Sequence, residues 1–256
     1  MTIQSVQRAL EILSLFSVSN PQLGIADISR GMGLAKPTVH GLVQTLVEQR
    51  FLQKNPETRK YSLGFKIYEL GTYLSSTLRI NQAGTEIVRR LAQKNSNWAR
   101  IGIWDNNSVL VTLNYFPNID YLQFQQLGPR VPAYCSALGK AILFSLPETE
   151  LNEYLSQIVL NAYTEHTITD KKKLKKEIQK MRSQGFAAES EEYMLGLSCI
   201  SCPVFDSSRK VAGAVSLTIN VDLIEKGDYN RIVKETKQNA MEISRRMGYV
   251  TEILPM

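Results

Sequence analysis

Residues 31–46, GMGLAKPTVHGLVQTL, constrain the fold of this chain more than any other stretch, because they predict two helices that meet at a sharp turn. Pro37 suits the first turn of a helix, where its missing N–H would have no partner in any case. The apolar residues that follow recur at the spacing of one helix face, and they are Val39, Leu42, Val43 and Leu46. The opposite face of this helix is therefore small, polar and partly basic.

The neighbouring segments predict a winged helix-turn-helix domain over residues 1–63. An amphipathic helix is expected over 3–16, a short helix over 25–32 and the proline-initiated helix over 36–48. Two strand-like runs, FLQK and KYSLG, then flank the turn NPET. Helix, helix, tight turn, helix and hairpin is the order of a fold whose second helix of the pair enters the DNA major groove.

The polar face of helix 36–48 has the residue types that contact DNA. Small side chains let a helix approach closely in a groove roughly 12 Å wide, first-turn N–H groups meet phosphates, and an amide such as that of Gln44 pairs with adenine. The candidate DNA-binding residues, two of them at the hairpin tip, are Lys36, Pro37, Thr38, His40, Gln44, Thr45, Arg59 and Lys60. A small helical domain used for protein contacts is the alternative.

The charge distribution agrees with such a domain. Residues 1–80 carry nine Lys/Arg and five Asp/Glu, so this third of the chain holds +4 of the total net charge of +6. The remaining residues carry 21 basic and 19 acidic groups. A basic amino-terminal part on a nearly neutral larger part is typical of a nucleic-acid-binding domain joined to a second domain. The alternative is that charged residues are distributed on the surface without a functional reason, which would give a similar imbalance.

Residues 64–80, GFKIYELGTYLSSTLRI, predict a helix with apolar residues around much of its circumference. A helix that is apolar on more than one side needs more than one partner. We therefore expect a linker helix that packs against its own domain and against a second copy of the chain. A plain core helix of the first domain is the alternative.

The remainder, residues 81–256, predicts an α+β domain. The runs WARIGIWDNNSVLVTLNYF and LSCISCPVFDSSRKVAGAVSLTIN each predict an antiparallel hairpin, and YLQFQQL alternates like a strand. Helices are expected around them, including a lysine-rich one over 171–184 and a closing one over 228–247. The lysine-rich face is interpreted as a solvated helix surface rather than a nucleic-acid patch.

Composition narrows the class of protein. The 256 residues are 43% apolar, which provides a core, and no run of about 18 apolar residues could span a bilayer. The chain start lacks the pattern of a secretory signal, and three cysteines do not make a disulfide framework. We expect a soluble cytoplasmic protein with no membrane partner.

Taken in order, these motifs resemble the isocitrate-lyase-regulator (IclR) family of bacterial transcription factors. The similar stretches are SVQRALEILSLF, ISRGMGLAKPTVHGLVQTL, RKYSLGFKIYELG, PAYCSALGKAILF, GFAAESEEYMLGLSCISCPVFD and VAGAVSLTI. The resemblance implies a winged helix-turn-helix joined by the linker helix to a GAF-like effector-binding domain over 81–256. It also implies an operator-binding homodimer or homotetramer. Ala35, Gly41 and Arg50 depart from the family pattern, so the operator sequence does not follow from relatives.

The resemblance further implies a pocket for a small organic acid or aromatic metabolite in the second domain. Carried over position by position, its residues are Val131, Ala137, Leu138, Glu189, Leu197, Cys199, Ser216 and Thr218. The helix start near Ala137 would favour an anion, and Ser216 and Thr218 share one strand face. Core packing is the more common role of the apolar members, and Ser216 and Thr218 are also compatible with ordinary strand positions.

Two other functions remain as alternatives. A DNA-binding thiol sensor would use the cysteines of CISC, but Cys199 and Cys202 point to opposite faces of a strand, so one metal ion would not reach both. An enzyme acting on the pocket's ligand is disfavoured because the common catalytic and phosphate-binding motifs are missing from the sequence. We expect no metal and no cofactor.

Overall fold

The computed structural model describes residues 2–117, 128–220 and 228–250. The chain divides into two compact units, Met1–Ser76 and Thr77–Met256. The first unit is helical with a short hairpin, and the second is built on one antiparallel sheet with helices on both faces. The predicted α+β class in two domains is confirmed. Within the described residues, no helix is long and apolar enough to cross a bilayer.

The core of the first unit is formed by three helices and a two-stranded hairpin. These are α1 (Gln4–Ser14), α2 (Ile25–Met32), α3 (Lys36–Glu48), β1 (Leu52–Lys54) and β2 (Tyr61–Leu63). They enclose one apolar core, which is formed by Ile12, Ile28, Val39, Val43, Leu46, Leu52 and Tyr61. The bounds of α3 agree with the sequence-based expectation, because the apolar stripe and Pro37 fix both its inner face and its start.

The turn between α2 and α3 depends on Gly33. This residue has φ 63°, in the left-handed region that glycine adopts without steric cost, and it ends α2. The backbone N–H of Leu34 donates to the carbonyl of Ser29, which closes the corner. The hairpin is tied to the helices by Leu23, whose backbone exchanges two hydrogen bonds with Tyr61. Helix α3 is thereby held with its polar face outward.

A fourth helix, α4 (Phe65–Thr77), follows the hairpin and has no buried residue. The next helix, α5 (Arg79–Asn95), begins only two residues later, after an extended Leu78. The predicted linker helix 64–80 therefore extends too far, since Ile80 is a buried residue of the second unit's core. The apolar residues of α4 remain exposed, and the largest are Phe65, Tyr68, Leu70, Tyr73 and Leu74.

Among its described residues, the second unit contains a six-stranded antiparallel sheet in the order β5-β4-β3-β8-β7-β6. The strands are β3 (Ala99–Asp105), β4 (Ser108–Tyr115), β5 (Arg130–Pro132), β6 (Ala187–Ser190), β7 (Leu197–Phe205) and β8 (Val211–Asn220). The hairpins β3–β4 and β7–β8 were expected from the sequence. The short strands β5 and β6 were not, because three or four residues carry too little alternation to be recognised. The expected strand YLQFQQL lies outside the described residues.

Helices cover both faces of this sheet. One face packs on α5 and α9 (Tyr229–Arg246) around Ile87, Ile101, Val215 and Ile243. The other face packs on α6 (Ala137–Ser145), with α7 (Glu148–Gln157) and α8 (Lys171–Gln184) outside it. The lysine-rich helix α8 buries Leu174, Ile178 and Met181 and ends at Gly185 with φ 71°, as the sequence predicts.

Helix α6 begins in close contact with the chain that follows β5. The hydroxyl of Ser136 caps α6 by accepting a hydrogen bond from the N–H of Gly139 at 3.2 Å, and it donates to the carbonyl of Pro132 at 2.7 Å. A Cβ atom on Gly139 would lie 2.2 Å from the Cα of Ala133. Only glycine fits there, so the first turn of α6 is held in one place against the sheet.

A buried ion pair crosses the same region. The side chain of Lys140, on α6, has no exposed surface and bonds to Oε1 of Glu192, whose side chain is 10% exposed. The second carboxylate oxygen, Oε2, is buried without a hydrogen-bond partner. Removing one member of such a pair leaves an uncompensated charge inside the protein.

We expect Lys140→Met to reduce the free energy of unfolding of the full chain by about 3–5 kcal/mol, because the Glu192 carboxylate loses its counter-charge. The double variant Lys140→Met/Glu192→Leu should recover most of this loss, since no buried charge remains. Urea unfolding followed by circular dichroism measures both. A single-variant loss no larger than that of the double variant would mean that the carboxylate does not depend on Lys140.

Candidate functional site

The polar face of α3 is exposed along its whole length. Lys36, Pro37, Thr38, His40, Gln44 and Thr45 are all exposed, while Val39, Val43 and Leu46 of the apolar stripe are buried and Leu42 is half-buried. A Cβ on Gly41 would meet no atom within 4 Å, so the middle of this face is open. Ala35 provides no side-chain cap, which leaves the first N–H groups of α3 available to an external acceptor.

Two side chains on this face already have local partners. The amide of Gln44 donates to Oε1 of Glu48 at 3.1 Å, and the hydroxyl of Thr45 donates to the carbonyl of Gly41 at 3.1 Å. Gln44 must leave Glu48 before it can bond to a base edge. Thr45 keeps its oxygen available as an acceptor only. The face therefore offers Lys36, Thr38 and His40 as its unconstrained groups.

The turn between β1 and β2 carries the other two predicted DNA contacts. Its shape is fixed by Asn55, whose side-chain oxygen accepts from the N–H groups of Glu57 and Thr58 at 2.9 and 3.0 Å. Arg59 follows with φ 56°, and both Arg59 and Lys60 are exposed. The basic tip is thus presented by a rigid turn.

The second unit contains a small cavity, about 20 Å³ in volume, at the start of α6. Seven of the eight residues predicted for the effector pocket line it, and they are Val131, Ala137, Leu138, Glu189, Leu197, Cys199 and Ser216. The eighth, Thr218, does not line it; its buried hydroxyl lies 3.4 Å from Sγ of Cys199. Four lining residues were missed, namely Arg100, Ser136, Tyr193 and Met194.

Strand register brings these side chains together. Arg100 on β3 pairs with Ser216 on β8, and Glu189 on β6 pairs with Cys199 on β7. Cys199 in turn pairs with Thr218. Because alternate residues of a strand face opposite sides, these polar groups share the α6 side while their neighbours pack toward α5 and α9.

Two buried polar groups in the cavity have no hydrogen-bond partner. Arg100 is only 7% exposed, its Nε is unpartnered, and its Nη2 lies 3.9 Å from the sulfur of Cys199. The hydroxyl of Ser216, 1% exposed, is also unpartnered. Among the described residues, no carboxylate oxygen lies within 4 Å of the Arg100 guanidinium nitrogens. Sequence reasoning missed Arg100 because an isolated arginine in an apolar strand carries no motif.

The start of α6 adds positive potential to the same wall. The first-turn N–H groups of Ala137 and Leu138 have no intrahelical acceptor, and both residues line the cavity. A helix N-terminus carries a partial positive charge, which favours anions. The cavity therefore has a cationic end formed by Arg100 and α6, next to the hydroxyl of Ser216.

Glu189 is the acidic group of the cavity. Burial raises the pKa of its carboxyl to about 7, although a hydrogen bond from the N–H of Glu192 to Oε2 opposes this at 3.1 Å. The negative charge of Glu192 raises the pKa further, and Lys140 lowers it. The pKa of Glu189 thus lies near neutral pH, so a further charge in the cavity changes its protonation.

Residues 191–196 form a loop beside the cavity, to which Tyr193 and Met194 contribute. Thr164 and Thr167 donate hydrogen bonds to the carbonyls of Glu191 and Glu192, each at 2.6 Å. The ring of Tyr163 lies 5.0 Å from that of Tyr193. These contacts hold the loop in place. Its residues have no helix or strand periodicity, so the sequence gives no sign that they line a site.

The three cysteines are all buried and free of disulfides. Burial raises the pKa of each thiol, Cys135, Cys199 and Cys202, to about 12. Cys199 faces the cavity, whereas Cys202 packs in the core beneath α5 and α9. Because the thiolate is the reactive form, these thiols are poorly suited to redox sensing. No group of three metal-ligating side chains converges among the described residues.

Comparison with known proteins agrees with this architecture. A family model described as "IclR helix-turn-helix domain" matches residues 5–56, and one described as "Bacterial transcriptional regulator IclR C-terminal" matches residues 72–245. The HTH-type transcriptional regulator XynR of Escherichia coli K12 is 31% identical over 247 residues, which cover 96% of this chain and 98% of that protein.

Solved structures share the fold over nearly the whole chain. An IclR transcriptional regulator from Alicyclobacillus acidocaldarius has a TM-score of 0.84 at 25% identity, covering 97% of this chain and all (100%) of that one. An IclR homologue from Microbacterium hydrocarbonoxydans, complexed with 4-hydroxybenzoate, has a TM-score of 0.81 at 21% identity, covering 95% and 99%. The chain therefore belongs to the IclR family of bacterial transcriptional regulators, and its first unit is the family's DNA-binding helix-turn-helix domain.

Proposed function

We propose that this regulator binds a pseudo-palindromic operator as a homodimer, which can pair further into a tetramer, and that a small organic acid in the second unit changes its affinity for DNA. It acts in the cytoplasm, where bacterial DNA lies. The observation that carries the proposal is the exposed polar face of α3 above a fully apolar inner face. A surface of this kind fits the major groove.

In this proposal, α3 enters the groove by its N-terminal end. Lys36 and the uncapped N–H groups of the first turn contact phosphates, while Thr38 and His40 reach base edges. The Gln44 amide breaks its weak surface hydrogen bond to Glu48 and bonds to an adenine instead. Thr45 accepts from a base or a water, and Arg59 and Lys60 contact the backbone beside the groove.

The two DNA-reading roles are separable by mutation. Lys36→Ala should weaken binding to all sequences and lower the salt slope by about one, whereas Gln44→Ala should cost about 1–3 kcal/mol at the operator alone. Lys172→Ala, which removes an exposed lysine on α8, is the control. Fluorescence anisotropy with DNA from upstream of the protein's own gene, across a salt series, measures all three. Equal binding by wild type and both variants would contradict the assignment of α3 as the reading helix.

The homodimer is supported by apolar surface that the first unit leaves exposed. Tyr68 and Tyr73 of α4 are 75% and 63% exposed, and Phe65 is 70% exposed. Helix α1 and the residue before it expose Ile3 and Leu10 at 66% and 59%. Exposed apolar residues grouped on helices of one small domain are typical of a protein interface. A two-fold dimer would also present two α3 helices to successive major grooves.

The double variant Tyr68→Glu/Tyr73→Glu should convert the dimer to a monomer, because it introduces two charges into an apolar contact. Sedimentation velocity measures the change in mass, and operator affinity should fall with it. Val159→Glu, at a residue 70% exposed in the second unit, is the matched control and should leave the mass unchanged. A double variant that sediments like wild type would remove α4 from the interface.

The effector role of the cavity is supported by its chemistry. It joins a cationic end to apolar walls from Val131, Leu138 and Leu197, the combination usual for small-molecule sites. The homologue from Microbacterium was crystallised with 4-hydroxybenzoate, a small aromatic acid. An effector acts by binding one arrangement of the protein more tightly than another, and it shifts the equilibrium by no more than that difference in affinity.

Both histidines lie outside the cavity, on α3 and on the exposed segment before α8.

A further inference from the structure

We propose that Arg100 is the carboxylate-binding residue of the cavity in the second unit, and that Glu189 restricts the ligand to acids carrying a single negative charge. The inference rests on the proposed effector role of this cavity and deepens it. It adds a residue that the family resemblance did not nominate, and it narrows the class of ligand.

Arg100 is a buried cation without a counter-charge, and such a group requires an anionic partner. A guanidinium is always charged at physiological pH, and burying it without a counter-charge is costly. Arg100 is only 7% exposed, yet its Nε has no partner. Its contact with the Cys199 sulfur at 3.9 Å offers only a weak acceptor, and that thiol is protonated.

Lys140 shows how this fold treats a buried cation that serves structure alone. Lys140 lies in the same layer, is fully buried and is neutralised by Glu192. Arg100 has no such carboxylate among the described residues. The difference indicates that the partner of Arg100 comes from outside the chain and binds in the cavity that Arg100 lines.

The neighbours of Arg100 complete a site for a carboxylate. Ser216, its direct partner across the β3–β8 pairing, has an unpartnered hydroxyl that can donate to a second oxygen. The first turn of α6 adds the N–H groups of Ala137 and Leu138. Arginine with a hydroxyl and helix N–H groups suits the planar carboxylate, which accepts several hydrogen bonds at once.

Glu189 limits what the rest of the ligand can carry. It lies on β6 opposite Cys199, whose sulfur also contacts Arg100, so the remaining groups of a ligand held by the guanidinium come within reach of Glu189. A second carboxylate there would meet a buried acid already close to the negative charge of Glu192. A hydroxyl or carbonyl would instead form a hydrogen bond with Glu189. The favoured ligand is a small hydroxy or oxo monocarboxylic acid.

The assignment of Arg100 is tested with two matched sets of compounds and the full-length protein. The aliphatic set is lactate, lactamide and malate, and the aromatic set is 4-hydroxybenzoate, 4-hydroxybenzamide and terephthalate. Each is added to wild type, Arg100→Met and Arg89→Met, and the melting temperature is recorded. Arg89 is an exposed arginine paired with Glu86 on α5, so its variant controls for loss of charge.

We expect at least one monocarboxylate to raise the melting temperature of wild type and of Arg89→Met, while its amide does not. The shift should vanish in Arg100→Met. Without ligand, Arg100→Met should melt at the wild-type temperature or above it, since a binding residue that is buried and unpaired costs stability. The assignment is overturned if no acid shifts wild type, if Arg100→Met responds as wild type does, or if it melts several degrees lower without ligand.

The restriction by Glu189 has its own test, which is the pH dependence of acid binding. The groups around Glu189 are Glu192, Lys140 on α6, Cys135 just before α6, Cys199 on β7 and, on the other side of Cys199, Arg100. Helix α8 contributes apolar side chains to this layer. An anion in the cavity favours protonated Glu189, so binding takes up a proton. Affinity should therefore be higher at pH 6 than at pH 8, on either side of the pKa of about 7.

Isothermal titration calorimetry at both pH values measures the affinity for the tightest-binding monocarboxylate of each set and for the dicarboxylate of that set. Glu189→Gln should remove the pH dependence and, at pH 8, where the Glu189 carboxylate is mostly ionised, reduce the preference for the monocarboxylate about tenfold, as expected for loss of one like-charge contact. Equal pH profiles in wild type and Glu189→Gln would overturn the restriction, as would dicarboxylate binding that wild type does not disfavour.

Operator binding, measured separately, distinguishes this inference from the proposed function. Acids that bind through Arg100 without changing DNA affinity would leave the assignment standing and remove the effector role. Amides that release DNA equally well in wild type and Arg100→Met would keep the effector role and remove the assignment.

Discussion

The alternation of side chains along β7 and β8 is the constraint on which the second unit depends. Ile200, Val215 and Leu217 point to α5 and α9, where they form a dry core. Cys199 and Ser216 point to α6, where the layer is partly polar. A register shift of one residue would exchange these two sets, placing hydroxyls in the apolar core. The cavity exists because the α6 face of the sheet is the one that tolerates polar groups.

That polar layer holds its charges in two ways. Lys140 and Glu192 neutralise each other and connect α6 to the loop beside the cavity. Arg100 and Glu189 face the cavity without being paired to one another, and burial moves the pKa of Glu189 to about 7. The paired charges fix the geometry, while the unpaired ones make the cavity sensitive to what enters it. In the first unit, α3 likewise combines a structural side, its apolar stripe toward the core, with an exposed polar side that is open to a partner.

Local pattern was sufficient for most of the fold. The apolar stripe and Pro37 determine α3, Gly33 determines the turn before it, and the positive φ angles of Asn106 and Asn107, 49° and 58°, suit the hairpin turn that they predict. Where pattern was weak, the sequence was insufficient. Strands β5 and β6 are stabilised by pairing with β4 and β7 rather than by their own residues. Helix α4 ends at Thr77, and the extended Leu78 separates it from α5, whose Ile80 is buried in the second unit.

The sequence alone determined the helix-turn-helix and the two hairpins, because those features depend on near neighbours in the chain, whereas the pocket residues came from the resemblance to the IclR family. Only the tertiary structure decided that Arg100 belongs to that pocket while Thr218 is one step outside it. It also decided that Lys140 is neutralised and Arg100 is not. The physical reason is that charge pairing and burial are set by residues tens of positions apart, which strand register brings within a few ångströms.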